Sequence, residues 1–595
     1  MADKDWNNLV SMFFDQADRL GERPFLWFKR QGQYQAMSWR DVAARVSALT
    51  RGLGQAGVGP GDRVVIVSEN RPGWLIADLA IMAVGGITVP AYTTNTEHDH
   101  RHILENSGAK GVIVSTPKLA QPVLAAAGDL PETKFVVIIE PGDVPPAPGL
   151  DILVWEDLMI QGEHGHTNII ESANQLKRSD LACIIYTSGT GGAPKGVMLH
   201  HGAVLHNCAG AADVLSDVGL DDMTFLSFLP LSHAYEHTAG QFLPIRIGAQ
   251  IYYAESVEKL TTNLPEVRPT IMTAVPRLYE TLHQRITIGV RAAGGMKEKM
   301  FLKALELGKR RIQHPDGLGL VDKLVDAMLD RLVRDKVRGR FGGRLKALVS
   351  GGAPLNADIG LFFQALGLPI FQGYGLTEAA PLISVNRPSR VKMQTVGPAI
   401  KDVEVKIAAD GEICVRGEMV MQGYWRNEEA TREMLRDGWL HTGDVGEMDE
   451  DGYIRITDRK KDIIVNSGGD NVSPARIESV LTMQPEIAQA MVYGDRRPHL
   501  VALIVPDDGW LQTWARGASK AGELEDLAAD PDLRKEISAA IDRANTAAST
   551  VEKVRRFIIA PEPFSVDNAQ LTPTMKIRRH VLKQTYGEEL ERLYA

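Results

Sequence analysis

In the N-terminal half of the chain, short apolar runs alternate with longer segments whose apolar residues recur at helical spacing. The helical segments include 39–54 and 74–83. The apolar runs, which we interpret as buried strands, lie at 64–67, 111–114, 135–139 and 271–274, and a further run of the same kind follows at 345–349. Alternation of this kind is typical of an α/β fold with largely parallel sheets.

The pattern changes in the second half of the chain. Segment 288–340 is predicted to be helical and is rich in lysine and arginine. Acidic residues interleave there, which favours solvated helix faces over a membrane-surface helix. Segments 403–407 and 412–416 flank Asp410-Gly411 and predict a β-hairpin. A smaller unit is predicted beyond residue 458, with strands at 487–492 and 500–505 and helices at 476–482, 509–548 and 579–594.

Length and composition limit the number of domains and the classes of function that are possible. A chain of 595 residues exceeds one typical hydrophobic core, so at least two domains are expected. The formal net charge of −9 argues against a nucleic-acid binder. The cysteines at 183, 208 and 414 show neither disulfide nor metal-ligand spacing, which indicates a reducing compartment. We predict no secretory signal and no membrane span, because the best apolar candidate, 75–92, contains Asp78, two glycines and a proline.

One loop carries the strongest chemical signal. Residues 186–197 read Tyr-Thr-Ser-Gly-Thr-Gly-Gly-Ala-Pro-Lys-Gly-Val and follow the apolar run 181–185. Glycines let backbone N–H groups approach an anion, and hydroxyls and a lysine add donors and charge, so the loop is predicted to hold phosphates. It is not the common phosphate loop, because Pro194 precedes Lys195 and Gly196 follows it. A flexible surface turn is the alternative.

Four further motifs follow in order, and we interpret them as junctions between strands and loops, where α/β sheets bind ligands. They are Gly351-Gly-Ala-Pro354, Gln372-Gly-Tyr-Gly-Leu-Thr-Glu378, Trp439-Leu-His-Thr-Gly-Asp444 and Leu571-Thr-Pro-Thr-Met-Lys576. Tyr374 offers a flat face for a purine, Asp444 can accept hydrogen bonds from ribose hydroxyls, and Glu378 can ligate Mg²⁺. Taken singly, they could be a core tyrosine, a turn residue and a carboxylate at a helix N-terminus.

Together these motifs resemble the adenylate-forming superfamily of acyl-CoA synthetases, luciferases and peptide-synthetase adenylation domains. The segments 229–236, 275–280 and 468–474 are similar to the bacterial long-chain fatty acid–CoA ligases in particular. The resemblance implies an α/β fold with a large N-terminal domain (1–457) made of two α/β subdomains and a β-rich subdomain. A hinge (458–461) and a small mobile α+β lid (462–595) are implied to follow.

The resemblance also implies a reaction and its participants. A fatty acid and Mg·ATP would give an acyl-adenylate and pyrophosphate, and coenzyme A would then displace AMP. Two alternatives keep adenylation but use an aromatic or medium-chain acid, or an acyl carrier protein as acceptor. A third is a nucleotide-binding regulator with weak catalysis. The implied location is the cytoplasm with peripheral contact at the inner membrane face, and a homodimer is allowed.

Roles are implied residue by residue. Lys576 would bridge the carboxylate and the α-phosphate, Thr377 would donate to the α-phosphate, and His233 would lie near the acyl carboxylate. Thr187 and Glu378 would place Mg²⁺. The remaining residues implied to bind nucleotide or coenzyme A are Ser188, Gly189, Thr190, Gly191, Gly192, Lys195, Gly352, Ala353, Gln372, Gly373, Tyr374, Gly375, Asp444, Arg459, Lys461, Gly468 and Gly469.

Two positions depart from the family pattern. Gly191 stands where the usual loop has threonine, which removes a hydroxyl donor near the phosphates. Val465 stands where some relatives carry a lysine six residues after the hinge arginine, so no role of that lysine in the thioester step can be transferred. For His233 and Lys576 the alternatives are a hydrogen-bonded histidine beside a strand and a solvated lysine.

Overall fold

The computed structural model describes residues 5–165, 167–187, 193–314, 316–468, 470–546, 548–572 and 575–595. The chain forms two compact units. The large unit comprises Met1–Lys406, Cys414–Thr442 and Met448–Arg455, and the small unit comprises Ile407–Ile413, Gly443–Glu447 and Ile456–Ala595.

The described residues up to Val385 form strands β1 (Pro24–Arg30), β2 (Gln33–Ser38), β3 (Arg63–Val67), β4 (Ile87–Ala91), β5 (Gly111–Val114), β6 (Phe135–Ile138), β7 (Asp151–Val154), β8 (Leu181–Thr187), β9 (Lys195–His200), β10 (Thr224–Ser227), β11 (Gln250–Tyr253), β12 (Ile271–Ala274), β13 (Ala347–Ser350), β14 (Ile370–Gly375) and β15 (Leu382–Val385). Later strands are β16 (Glu404–Ile407), β17 (Glu412–Arg416), β18 (Gly423–Tyr424), β19 (Leu435–Arg436), β20 (Trp439–Met448), β21 (Ile454–Arg459), β22 (Ile464–Val465), β23 (Asn471–Val472), β24 (Ile487–Tyr493), β25 (Leu500–Pro506) and β26 (Val554–Ile559).

Helices up to Ile247 are α1 (Leu9–Leu20), α2 (Trp39–Gln55), α3 (Pro72–Ala83), α4 (Glu97–Ser107), α5 (Pro117–Ala127), α6 (Trp155–Glu163), α7 (Ile169–Asn174), α8 (His201–Ser216), α9 (Ala234–Glu236) and α10 (Leu243–Ile247). Later helices are α11 (Leu260–Val267), α12 (Pro276–Ala293), α13 (Gly295–Gln313), α14 (Leu320–Leu329), α15 (Asp335–Arg340), α16 (Ala357–Ala365), α17 (Glu428–Met434), α18 (Pro474–Leu481), α19 (Asp508–Gly517), α20 (Leu524–Leu527), α21 (Pro531–Asn545) and α22 (Arg579–Arg592). Short π-helices cover His237–Phe242 and Asp330–Arg334, and 3-10 turns cover Thr377–Ala379 and Thr550–Glu552.

The first sheet of the large unit has the order β18-β9-β8-β4-β3-β5-β6-β7. It is parallel from β8 through β4 to β7, and the β8–β9 and β9–β18 pairs are antiparallel. Its central strands are buried on both faces, which explains their continuous valine and isoleucine runs. Cys183 lies on β8 with no exposed surface, as expected for a core residue, and burial raises the pKa of its thiol well above the ordinary value.

The second sheet of the large unit has the order β15-β14-β13-β12-β10-β11-β1-β2. Its interior strands are parallel, and the edge strands β15 and β2 are antiparallel to their neighbours. The expected α/β architecture is therefore confirmed. The strand predicted at 345–349 is observed at Ala347–Ser350, and the Lys346 N–H that precedes it donates to Thr270 O at 2.8 Å.

The small unit is built on a sheet of order β24-β25-β26, in which β25 pairs antiparallel with β24 and parallel with β26. Alternate residues of β25 face opposite sides. Leu500, Ala502 and Ile504 belong to the core that includes α18 and α21 residues, whereas Val501 and Leu503 belong to the core that includes α22 residues. Both faces are covered, as the unbroken apolar run of β25 predicts.

A helical segment follows β12 in the large unit and contains a buried guanidinium. Arg334 has no exposed surface, and its nitrogens donate to Ala304 O (2.6 Å), Ala365 O (2.7 Å) and Asp326 Oδ1 (2.6 Å). These bonds tie α14, which carries Asp326, to α13 and α16. Among the described residues, no helix combines the length and apolar character needed to cross a membrane.

Candidate active site

The predicted phosphate loop joins two antiparallel strands. Thr187, the last residue of β8, is the cross-strand partner of Lys195, the first residue of β9. On the approach to Lys195, His102 Nε2 lies 2.9 Å from Pro194 O. Both ends of the loop are thus held by β-pairing. The predicted phosphate-binding residues of the loop itself lie outside the described residues: Ser188, Gly189, Thr190, Gly191 and Gly192.

Glu378 reaches this hairpin through Tyr424, a residue that the sequence interpretation missed. Tyr424 lies on β18, beside β9, and donates its hydroxyl to Glu378 Oε1 at 2.6 Å. Lys195 Nζ lies 5.2 Å from the centre of the Tyr424 ring. Burial raises the pKa of Tyr424, so its hydroxyl keeps its proton and acts as a donor. We call Thr187, Lys195, Glu378 and Tyr424 the phosphate-side cluster.

The segment 372–375, expected as a loop after a strand, is instead part of β14. The strand continues because β15 pairs with it antiparallel, with Tyr374 opposite Ser384. Gly375 permits this close pairing, since a Cβ there would lie 1.8 Å from Pro381 O. Gln372 and Gly373 lie on the same strand, and Gln372 O accepts the Asn386 N–H at 3.0 Å.

Tyr374 and Thr377 are both largely buried. Tyr374 is 7% exposed, so its side chain also has the burial expected of a core tyrosine. Thr377 opens the 3-10 turn that carries Glu378, and its carbonyl accepts the Ala380 N–H at 3.1 Å. The turn thereby fixes Thr377 and Glu378 at the end of β14.

Tyr235 links two motifs that lie more than a hundred residues apart in the sequence. Its hydroxyl donates to Val349 O at 3.0 Å, and its ring packs under Gly351, where a Cβ would lie 3.1 Å from the ring. Gly352 follows with φ +83°, in the left-handed region that favours glycine, and Ala353 is exposed. His233 accepts the Tyr235 N–H through Nδ1 at 3.2 Å. The 229–236 and 351–354 motifs are therefore neighbours.

The small unit carries the predicted ribose and hinge residues. Arg459 Nε donates to Asp444 Oδ1 at 2.7 Å, so these two residues, both implied to bind nucleotide or coenzyme A, are in contact. Asp444 lies within β20, which replaces the expected strand-to-loop junction, and it is 5% exposed. Lys461 and Gly468 are exposed, and Gly468 N–H donates to Asn466 Oδ1 at 2.8 Å. The remaining predicted residue of this group, Gly469, lies outside the described residues.

Lys576 is exposed on a tight turn of the small unit. Thr572 N–H donates to Lys576 O at 2.8 Å, and Lys576 N–H donates back to Thr572 Oγ1 at 3.0 Å. Leu571 and Ile577 form a bridge at the base of the turn. The turn thus presents the lysine side chain at the surface of the small unit.

Sequence reasoning missed Tyr424 and Tyr235 for different reasons. The only signal for Tyr424 was a glycine followed by two aromatic residues at 423–425, with nothing local to indicate that it pairs with β9. Tyr235 lies inside a motif that was recognised, yet its contact with Gly351 depends on the order of β10, β12 and β13 in the sheet. Long-range pairing created both contacts.

Comparison with known proteins bears on the family and the fold. Residues 13–425 match the family described as AMP-binding enzyme, and residues 461–595 match the AMP-binding enzyme C-terminal domain. Among solved structures, the adenylation domain of a carboxylate reductase from Mycobacterium chelonae is similar, with a TM-score of 0.78 and 20% identity over 100% of this chain and 92% of that chain. O-succinylbenzoate coenzyme A synthetase from Bacillus subtilis has a TM-score of 0.67 and 21% identity over 97% of this chain and 98% of that chain.

Relatives that are more similar in sequence span nearly the whole chain. Long-chain-fatty-acid–CoA ligase FadD15 of Mycobacterium tuberculosis is 36% identical over 594 residues, which cover 99% of this chain and 97% of that protein. Long chain acyl-CoA synthetase 7, peroxisomal, of Arabidopsis thaliana is 32% identical over 590 residues, 95% of this chain and 82% of that protein. The resemblance carried by the motifs is confirmed, and the chain belongs to the AMP-binding enzyme family.

Proposed function

We propose that this protein is an AMP-forming long-chain fatty acid–CoA ligase. The observation that carries the proposal is the 36% identity, over 99% of the chain, to proteins named long-chain-fatty-acid–CoA ligase. The placement of Lys195 and Glu378 supports it, because Tyr424, a residue outside the recognised motifs, contacts residues from two separate sequence motifs.

The reaction has two steps. A carboxylate oxygen of the fatty acid attacks the α-phosphorus of ATP, and the bond to pyrophosphate breaks. The sulfur of coenzyme A then attacks the acyl carbon of the mixed anhydride, the bond to AMP breaks, and the thiol proton is released. A carboxylate is a poor electrophile, so the first step supplies a good leaving group. The protein acts mainly by positioning and by stabilising charge.

In the large unit, Lys195 and the loop that precedes it would bind the β- and γ-phosphates. Thr377 would donate to the α-phosphate from its fixed turn. Gly352, Ala353 and the 372–374 segment of β14 would line the adenine. His233 would lie near the acyl carboxylate.

The phosphate-side cluster suits a magnesium ion. Glu378 offers a carboxylate and Thr187 a hydroxyl, and hard oxygen ligands of this kind, together with phosphate oxygens, are what Mg²⁺ prefers. A bound Mg²⁺ would neutralise charge on the phosphates. The Tyr424 hydroxyl, which donates to Glu378 Oε1 at 2.6 Å, would orient the carboxylate.

The remaining predicted residues belong to the small unit. Asp444 and Arg459 would hold the ribose, and their mutual hydrogen bond of 2.7 Å keeps both side chains in one place. Lys461 would serve as the hinge, Gly468 and Gly469 would line the path of coenzyme A, and Lys576 would bridge the reacting groups. The cytoplasmic location, peripheral membrane contact and homodimer remain predictions.

A direct assay tests the proposal. Purified protein with ATP, Mg²⁺, coenzyme A and oleate is expected to release AMP and pyrophosphate and to form oleoyl-CoA. A panel of fatty, aromatic and medium-chain acids, each tested with coenzyme A and with an acyl carrier protein, identifies the preferred acid and acceptor. The absence of product from every fatty acid of the panel would contradict the proposal.

Replacing Tyr424 by phenylalanine tests the orientation of Glu378. Y424F is expected to raise the Mg²⁺ concentration for half-maximal pyrophosphate release by about tenfold or more, because hydrogen bonds to ligating carboxylates support metal affinity. The KM for coenzyme A is expected to stay unchanged.

Y453F is the matched control. Tyr453 is also a buried tyrosine of the large unit, and its hydroxyl donates to Arg390 O at 2.8 Å. The Y453F variant should leave the Mg²⁺ concentration for half-maximal pyrophosphate release unchanged. Equal shifts in the two variants would show that the effect is not specific to Glu378.

A further inference from the structure

Helix α14 presents an apolar face to solvent. Leu320, Val321, Leu324 and Met328 are 83%, 74%, 75% and 52% exposed. At 100° per residue, all four project from one side of the helix. An ordinary surface helix shows the reverse arrangement, with its apolar stripe towards the core.

The carboxylates of α14 are turned towards the protein. Asp322 accepts from Arg310 at 3.1 Å, and Asp326 accepts from Arg311 at 2.7 Å and from the buried Arg334 at 2.6 Å. The buried pair of Asp326 and Arg334 fixes the rotation of the helix, because turning it would leave Arg334 without its partner. The apolar face is therefore held outward by the charges behind it.

The charges that remain on the outer side are positive. Lys323 and Arg331 are exposed and form no ion pair with any residue that the structure describes. Residues 285–340 contain fourteen lysines and arginines and seven acidic residues, in a chain whose formal net charge is −9. Positive charge is thus concentrated in the segment that exposes the apolar face.

We propose that α14 docks on the surface of an anionic lipid bilayer, with Leu320, Val321, Leu324 and Met328 entering the headgroup region and Lys323 and Arg331 meeting lipid phosphates. An apolar helix face bordered by cations is the pattern of interfacial helices. Acidic residues in this segment favoured a solvated face in the sequence, but the two within α14, Asp322 and Asp326, are bonded to arginines on the other side of the helix.

Docking at a bilayer would bring the protein close to a substrate that partitions into bilayers. This advantage for catalysis rests on the proposed function. The binding itself does not depend on catalysis. The two can therefore be tested separately, with binding measured in the absence of ATP and coenzyme A.

The experiment is flotation of the purified full-length protein with vesicles of phosphatidylcholine alone or mixed with phosphatidylglycerol. The wild type is expected to float with the mixed vesicles, and to do so less at high salt, because salt screens the lysine and arginine charges. Failure to bind either kind of vesicle would overturn the proposal.

Two triple variants separate the α14 face from general surface hydrophobicity. L320S/L324S/M328S is expected to lower the partition coefficient by about tenfold or more, because binding scales with buried apolar area. The control I160S/I170S/V257S changes three residues that are 53%, 55% and 54% exposed elsewhere in the large unit, and should bind as the wild type does. If the α14 variant bound as tightly as the control, the helix would not be the docking site.

Further measurements keep each outcome decisive. Should the α14 triple variant fail to fold, K323E/R331E is expected to weaken binding to the mixed vesicles alone, and unchanged binding of that variant would contradict the proposal.

Sedimentation of the wild type tests whether a second copy of the chain covers the α14 face instead. A dimer that the α14 variants abolish, without vesicle binding by the wild type, would assign the face to a second copy of the chain. Separately, absence of acyl-CoA from every acid would reject the proposed function and leave the vesicle result standing.

Discussion

Replacing Lys576 by alanine is expected to slow adenylation by about 100- to 1,000-fold while ATP binding is retained. A fixed positive charge beside the reacting carboxylate and α-phosphate stabilises charge that develops in the transition state, and removing one such group commonly costs this much. The loss should appear in kcat for pyrophosphate release, measured with saturating oleate and ATP, because the interaction belongs to the transition state.

Because Lys576 is exposed, an effect of its replacement on the rate can be separated from an effect on folding. Its side chain lies on the surface of the small unit, and the turn is held by backbone bonds and by the Thr572 hydroxyl, so alanine should leave the fold intact. Lys535, an exposed lysine on α21 of the same unit, provides the matched control. K535A should keep the wild-type rate, and an unchanged rate in K576A would remove Lys576 from the proposed role.

Replacing Arg334 by methionine is expected to destabilise the large unit by about 3–5 kcal/mol, because it leaves the Asp326 carboxylate without its buried partner. Asp326 is 5% exposed and keeps the bond from Arg311, and the carbonyls of Ala304 and Ala365 lose their hydrogen bonds from Arg334. The measurement is the urea midpoint of the unfolding transition assigned to the large unit.

Arg331→Met is the control for Arg334→Met. Arg331 lies three residues earlier in the same π-helix but is exposed. The urea midpoint of the Arg331→Met variant should therefore match that of the wild type. A double variant, R334M/D326L, should recover much of the lost stability, since replacing a buried ion pair by apolar groups is often neutral. Equal midpoints for R334M and the wild type would contradict the assigned role of the buried pair.

Elements dominated by local pattern were predictable from the sequence. The β3 and β5 strands matched the predictions closely because each is an unbroken apolar run, and the α2 helix did so because its pattern is long and Ser38 and Asp41 form a local capping box. Cys183 was correctly predicted to be core because it lies within an apolar run. The family could be identified because its motifs combine specific residues in a fixed order.

Features that depend on distant partners were not predictable. The segment 373–375 of β14 reads like a glycine-rich loop, and its pairing with β15 makes it part of the strand. Tyr424 and Glu378 are 46 residues apart and meet through the hydroxyl bond. The outward direction of α14 is decided by Arg334, which belongs to the next helical turn, so periodicity within α14 alone could not distinguish the face that meets solvent.

The pairing of Thr187 with Lys195 has a consequence for how this enzyme can change over time. Because β-structure already holds the two ends of the loop together, most of the entropy cost of closing it is met by the sheet. If residues 188–192 bind phosphates as proposed, substitutions there can alter that binding without disturbing the strand register on either side. The strands therefore stay fixed while the sequence between them can vary, and Gly191, which stands where the usual loop has threonine, is one such variation.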